Sequence, residues 1–436
     1  MSDTPPLDLS FAREHFPALS VAETPGGVPP VFFDNPGGTQ VPATVIAAMT
    51  DYLTRANANS GGAFATSERS DRALADTREA LADFVNAASP HEIVFGQNMT
   101  SLTFAVSRGF GQLLSSGDEI VTTVLDHDAN IAPWLAIAAE RGAIVRTIEV
   151  HDVDCTLDLE QLAAVLSPRT RLVAIGYASN ATGTVNDVAT ATRWAHAVGA
   201  WVYVDAVQYA PHGLVDVQAL DCDFLVCSAY KFFGPHVGVL YGKADRLAEL
   251  PAYKVRPQRD EPPYRHETGT LNHEGIVGAG AAVEYLANLG RTISPSAVRA
   301  SLTRRDAIVT AMDAVRAYEV DMFEHLLAGI ERLPGARVYG ITDRSRFTER
   351  GPTVAFTWDA LAPRATAALL GRHGVYAWDG DYYAMALMER LGLAPDGAIR
   401  LGLAHYNTHA EIDHTLDVLA SAAATSGTLA AVSWGR

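Results

Sequence analysis

Between about residues 40 and 300 the chain alternates two hydrophobic patterns: short β-branched or apolar runs, and longer Ala/Leu-rich segments of helical period. The first pattern predicts strands at 92–96, 118–124, 143–150, 171–178, 201–206, 223–228 and 237–242. The second predicts helices at 72–87, 98–114, 129–141, 158–166 and 187–198, each starting near a polar residue able to cap it. Several strands, WVYVDA and DFLVCS among them, are apolar almost throughout, as strands covered on both faces must be. This alternation predicts an α/β fold around a mostly parallel sheet of seven strands flanked by helices. After residue 300 a long helical stretch, SAVRASLTRRDAIVTAMDAVRAYEVDMFEHLLAGIERL, leads into ARVYG, TVAFTW and further strand-like pieces, the pattern of a smaller α+β domain. The expected division is a large domain over 31–300 and a small one over 301–436, with 1–30 packing on the small domain.

Length agrees with two domains, because single cores stop growing near roughly 250–300 residues and this chain has 436. Its 33 Lys and Arg against 50 Asp and Glu leave a net charge of −17, which repels phosphate backbones and anionic lipid and argues against nucleic-acid binding. No apolar run approaches the roughly 18 residues of a membrane span, and MSDTPPLDLSFAREHFPALS lacks the basic and apolar regions of a signal peptide. A soluble, cytoplasmic protein is expected. Cys155, Cys222 and Cys227 form no CxxC pair and read as buried thiols of a reducing compartment.

The candidate chemistry centres on WVYVDAVQYA…DFLVCSAYKFFGPHVGVLYG. Asp205 ends one apolar run, Gln208 follows three residues later, and Ser228 and Lys231 follow the next run. Ligand sites of α/β sheets form at the carboxyl ends of strands, so these four side chains are placed to converge on one cleft. Pyridoxal phosphate needs such a set: a lysine amine to carry it, and a carboxylate that keeps its ring nitrogen protonated. Singly, Lys231 reads as a surface lysine and Asp205 as a turn residue. In FGQNMTSLTFAV, Asn98, Thr100 and Ser101 stand where a strand meets an apolar helix, a place for an anion as well as for a simple cap.

Asp126, His127 and Asp128 are consecutive, but neighbouring strand positions face opposite sides, so they make a poor metal site. His405, His409 and His414 read as solvated histidines around a helix start, where Thr408 and Glu411 form a capping box. No metal is expected. Arg400 lies in the apolar stretch AIRLGLAHYN and needs an anion. The carboxylate of an amino acid suits its fork; a structural salt bridge is the competing reading.

FFDNPGGTQ (32–40), LDHDAN (125–130), YASNATGT (177–184), the Asp205–Lys231 segment, ETGTLN (267–272) and LGLAHYNTHAE (401–411) occur in that order. With these motifs the chain resembles the class V aminotransferase family of fold-type I pyridoxal phosphate enzymes, and within it the cysteine desulfurase and selenocysteine lyase branch. The resemblance implies that Lys231 carries the cofactor, Asp205 meets its ring nitrogen and His127 stacks on its ring. It implies that Asn180 and Gln208 flank the phenolic oxygen, and that Asn98, Met99 and Ser228 hold the phosphate. Tyr230 stands where the branch usually has a histidine, and its phenol still donates. Thr270 matches a threonine that reaches the phosphate bound in the other subunit, implying a homodimer with shared sites. Arg400 would hold the substrate carboxylate, with Asn180 and Tyr383 on the substrate side.

Desulfurases of this branch carry a nucleophilic cysteine on a loop that corresponds to VYAWDGDYYAMALM (375–388); here there is none, and Tyr383 stands in its place. The expected reaction is therefore β-elimination by a C–S β-lyase. Transamination and epimerisation or racemisation are alternatives from the same family. A catalytically silent cofactor-binding scaffold or sulfur-transfer accessory is the alternative of another class. Tyr376, Trp378, Asp379, Asp381, Tyr382 and Tyr383, with the loop NANSGGAF (57–64), are expected to line the substrate side.

Overall fold

The structure is a computed structural model that describes residues 5–22 and 29–433, with side chains to residue 424. Residues 1–4 and 23–28, part of the segment expected to pack on the small domain, lie outside the described residues. From edge to edge the large sheet runs Ile93–Gly96, Gly238–Gly242, Phe224–Ser228, Trp201–Asp205, Thr170–Gly176, Glu119–Thr123, Ile144–Ile148. The last five are mutually parallel, and Gly238–Gly242 is antiparallel to both its neighbours.

Alternate residues of each strand feed two cores. Val121, Val173, Val202, Val204 and Leu225 face one core with residues of the helices Ala65–Val85 and His273–Ile293. Ile120, Leu172, Ala174, Tyr203 and Val226 face the other with residues of Met99–Gly111 and Ala132–Arg141. Burial on both faces is why these strands read as unbroken apolar runs. The edge strand Ile144–Ile148 is the exception: it exposes most of its length, and Arg146 reaches across to Glu119 at 2.9 Å. Gly238 lets the helix Met99–Gly111 start directly over the sheet, since a Cβ there would lie 2.5 Å from the Asn98 carbonyl carbon.

A second, antiparallel sheet runs Trp378–Gly380, Ala398–Gly402, Thr353–Trp358, Ala336–Tyr339. It buries its own apolar cluster, including Phe356, Ile399 and Leu401, against Met322, Phe323 and Leu326 of the helix Arg304–Glu331. In the N-terminal segment, the Phe16 ring packs on Phe233, Tyr285 and Tyr406, and Arg13 pairs with Glu411 at 2.9 Å. Among the described residues no helix is long and apolar enough to cross a membrane.

The differences from the sequence pattern have local causes. The helix expected at 72–87 begins at Ala65 because its first turns point polar residues inward. Ser67 accepts from the Gly62 N–H at 2.7 Å, and Ser70 bonds the Tyr52 hydroxyl at 2.6 Å. The long stretch after 295 is two helices, Ser296–Arg299 and Arg304–Glu331, the second starting at a capping box between Thr303 and Asp306. Two helices absent from the pattern, Ala43–Arg55 and His273–Ile293, complete the layer. His273–Ile293 is rich in glycine and alanine and is buried around most of its circumference, so it shows no polar face. A Cβ at its Gly290 would come 1.8 Å from the Ala307 carbonyl oxygen, so only glycine lets it cross Arg304–Glu331 so closely.

His405 corrects the expectation of solvated histidines. It is fully buried, with Nε2 2.6 Å from the Tyr285 hydroxyl. His409 and His414 are at the surface, and the Thr408/Glu411 capping box forms as expected. No group of His, Cys, Asp and Glu among the described residues is arranged to hold a metal.

Candidate active site

The carboxyl ends of four parallel strands open into one cavity of about 1190 Å³. The strand Glu119–Thr123 leads to His127, Thr170–Gly176 to Asn180, Trp201–Asp205 to Asp205 and Gln208, and Phe224–Ser228 to Ser228, Tyr230 and Lys231. Asn98 and Met99 enter from the start of their helix, and Arg400 and Tyr383 from the four-stranded sheet and its loop. Of the residues expected to hold the cofactor or the substrate carboxylate, only Thr270 lies outside the cavity among the described residues, exposed just before His273–Ile293.

Two other expectations do not hold. Tyr376 does not line the cavity, because it pairs edge-on with Phe32 at 5.5 Å. The loop 57–64 is turned instead toward the helix Ala65–Val85, through Ser67 and Asp71. The sequence reading missed Pro36, Gly37 and Phe104 on the wall, as well as His236, whose ring stacks on Tyr230 at 4.9 Å and 17°. His236 lies in the same GPH turn that closes the lysine segment, and that proximity was the available signal.

The floor carries opposite charges in a poorly solvated space. Asp205, 8% exposed, accepts from the Val207 N–H at 2.9 Å. Burial raises its pKa to about 6, against the lowering effects of that hydrogen bond and of Lys231. The Lys231 amine donates to the Pro36 carbonyl. Burial, and then the Arg400 charge, lower its pKa to about 7, so much of it is neutral near pH 7 and able to act as a nucleophile. His127 accepts at Nδ1 from the Ala129 N–H at 3.0 Å, which leaves its proton on Nε2. Burial, then Lys231 and Arg400, push its pKa down to about 4. An uncharged imidazole is the form suited to stacking on a protonated ring.

Asp126 accepts from the Gly176 N–H at 2.6 Å and from Asn130 at 3.3 Å, and burial, with the charge of Asp205 nearby, raises its pKa. At the far end Asn98 caps its helix, accepting from the Ser101 N–H at 2.9 Å, while the Met99 N–H donates to Ser228 Oγ at 3.0 Å. Serine hydroxyl and helix N-terminus therefore meet at one point, the arrangement that favours a phosphate. Gln208 donates to Thr353 of the second sheet at 3.3 Å.

Arg400, 4% exposed, sits on a central strand of the second sheet, across from Ala355 and Trp378. Its Nη1 donates to the Asn180 carbonyl at 2.8 Å. Burial lowers its pKa to about 10. No carboxylate forms an ion pair with it among the described residues, and its Nε has no partner, which weighs against the salt-bridge reading. The loop opposite is strained: Tyr382 and Tyr383 both have left-handed backbones, at φ 56° and 59°, at roughly 1–2 kcal/mol each for a side chain with Cβ. Their carbonyls are held from across the cavity, Tyr382 by Asn180 Nδ2 at 2.8 Å and Tyr383 by the Asp128 N–H at 2.7 Å.

All three cysteines are buried and none lines the cavity. Burial raises each thiol pKa, that of Cys155 to about 11, which makes them poor nucleophiles.

The donor set fits pyridoxal phosphate. It offers a partly neutral lysine, a buried carboxylate for a ring nitrogen, a neutral imidazole and a phosphate-binding helix start. Two buried polar atoms on lining residues, Arg400 Nε and Asn180 Oδ1, lack partners among the described residues. On this sheet order these features define a fold-type I pyridoxal phosphate transferase. The chain belongs to the class V aminotransferase family, whose pattern (Aminotransferase class-V) matches residues 31–415. It is 34% identical over 423 residues to a cysteine desulfurase of Dickeya dadantii, a match covering 94% of each chain. The cysteine desulfurase of Synechococcus elongatus is longer; the match, 34% identical over 421 residues, spans 62% of it and 93% of this chain. In structure the chain is similar to the cysteine desulfurase CsdA (S-sulfonic acid) from Escherichia coli, with TM-score 0.80 and 27% identity over 95% of this chain and 98% of that one. It is thus an enzyme of a family whose cofactor is pyridoxal phosphate.

Proposed function

We propose that this enzyme acts on a sulfur-bearing α-amino acid by β-elimination, as a C–S β-lyase. The observation that carries the reading is the absence of an accepting thiol: every cysteine is buried away from the cavity, and Tyr383 stands where desulfurases of the resembled branch carry theirs. The relatives named above are cysteine desulfurases, which supports a sulfur amino acid as substrate. Bound pyridoxal phosphate supplies an electron sink that acidifies the substrate's α-carbon.

The protein supplies the rest. Arg400, on the cavity wall, grips the α-carboxylate with its guanidinium fork. Lys231 takes the α-proton on Nζ, and Asp205 places its negative charge against the protonated ring nitrogen. The Cβ–S bond then breaks with its electron pair leaving on sulfur, and thiol or sulfide departs to solvent. The three-carbon remainder hydrolyses to pyruvate and ammonia. The same reading takes in a cytoplasmic homodimer in which Thr270 reaches the partner's phosphate pocket, supported by its exposure beside the cavity-bearing core. A division of the chain near residue 300 is supported by the separate apolar cluster behind the second sheet.

Product analysis tests the reaction. Holoenzyme given L-cysteine and S-substituted cysteines should form pyruvate and ammonia in equal amounts. Alanine accumulating with a persulfide on one of the three cysteines would sink the reading, as would a keto acid formed in step with pyridoxamine phosphate.

A further inference from the structure

Arg400 is held in a three-membered ring of contacts. Its Nη1 donates to the Asn180 carbonyl at 2.8 Å, Asn180 Nδ2 donates to the Tyr382 carbonyl at 2.8 Å, and the Tyr382 ring lies under the guanidinium with its centroid 4.2 Å from Cζ. The three residues come from three places: the loop after Thr170–Gly176, the turn after Trp378–Gly380, and the strand Ala398–Gly402. Sheet register alone does not bring Tyr382 to Arg400. Trp378 is the residue across from Arg400, and the strand then runs away from it, Gly380 lying across from Ala398. Left-handed backbone at Gly380, Tyr382 and Tyr383 (φ 109°, 56° and 59°) turns the chain back, and the Tyr382 hydroxyl fastens it to the Ala398 carbonyl. Such strain persists only where surroundings over-determine it, and it concentrates at functional sites.

We infer that Tyr382 is a positioning residue whose ring, presented by this strained turn, fixes the Arg400 fork on the cavity wall for the substrate carboxylate. Two observations carry it. Arg400 has no ion-pair partner among the described residues, Asp34 acting on it only through space, so the π-face and one carbonyl are the contacts that orient it. Arg400 lines the cavity, and Nη1 is its one guanidinium nitrogen with a hydrogen bond among the described residues, so the protein does not use up the fork. A buried cation held by a ring face and a carbonyl remains available to an incoming carboxylate, whereas a bidentate ion pair would have to break first. The inference rests on the amino-acid reading above but not on elimination, because it concerns carboxylate binding alone.

The test uses holoenzyme of wild type, Tyr382→Phe and Tyr382→Leu, titrated with L-alanine and with ethylamine, which lacks the carboxylate, while the cofactor absorbance is followed. Tyr382→Leu removes the ring face and should weaken L-alanine about tenfold, leave ethylamine unchanged and keep the free-enzyme spectrum. Tyr382→Phe keeps the face but gives up the hydroxyl bond to Ala398, so it should weaken L-alanine less than Tyr382→Leu does; weakening as large as that of Tyr382→Leu would overturn the role of the ring face. Equal weakening of both ligands would make Tyr382 a general structural residue and overturn the inference, as would unchanged L-alanine affinity. If L-alanine leaves even the wild-type spectrum unmoved, the amino-acid reading fails instead. A crystal structure of Tyr382→Leu then decides for Tyr382: Arg400 unmoved on the Asn180 carbonyl overturns its role, and a displaced guanidinium upholds it.

Discussion

The Tyr383 ring lies face to face with His127, 5.4 Å between centroids and 27° between planes, while its carbonyl accepts from the neighbouring Asp128 N–H. The residue standing where a sulfur acceptor is expected thus rests on the imidazole that faces the cofactor space. It is 68% exposed, so a smaller side chain there opens no core.

Tyr383→Cys should therefore fold normally and put a thiol on the cavity wall where there is now none. With L-cysteine and a reductant, the variant should divert part of its product from pyruvate to alanine. Amino-acid analysis of the reaction mixture reads the ratio, and a ratio equal to wild type would show that Tyr383 does not face the leaving sulfur.

Cofactor loading should follow the ionisation of Lys231. Its neutral form is the attacking species, and its pKa is lowered to about 7 from the ordinary 10.5. The rate at which cofactor-free protein takes up pyridoxal phosphate, followed by absorbance, should rise with pH through about 7 and level off above it. A rate still climbing steeply beyond pH 9 would mean a solvated lysine. Lys231→Ala should remove the borohydride-reducible attachment altogether.

The strands and the central charges were legible because two-sided burial leaves unbroken apolar runs, and such runs mark where Asp205 and Lys231 must emerge. Tyr382 was grouped with the substrate-lining residues but not with Arg400, because their contact depends on left-handed turns that tyrosine does not advertise. His405 looked solvated because its partner, Tyr285, lies 120 residues away on a helix whose glycines and alanines hid it from the periodicity. Tyr376 was grouped with the cavity residues by position along the chain, but the parallel pairing of Val31–Phe32 with Val375–Tyr376 turns it to Phe32.

All three thiols should be silent toward Ellman's reagent in the native protein and react in guanidinium, a count read directly by absorbance. Replacing them together with serine should leave pyruvate formation within about twofold, provided a melting curve shows that the core survives, since surface access and low thiol pKa are what make cysteines reactive.

Arg400→Lys keeps a cation but loses the fork. It should raise KM for the amino-acid substrate about tenfold or more with a smaller change in kcat, leaving the cofactor spectrum intact. An unchanged KM would put the carboxylate elsewhere.

Lys231 and Arg400 belong to different cores: Cys227, Ala229 and Phe232 around the lysine pack with the large sheet, and Ile399 and Leu401 around the arginine pack with the small one. The span between the lysine proposed to carry the amine and the arginine proposed to grip the carboxylate is therefore set where the two clusters meet, with Tyr382, beside Arg400, packed in the cluster of the large sheet. Mild denaturant that loosens this meeting should therefore weaken substrate recognition before it unfolds either sheet, which makes affinity for an amino acid a gauge of how this molecule is assembled.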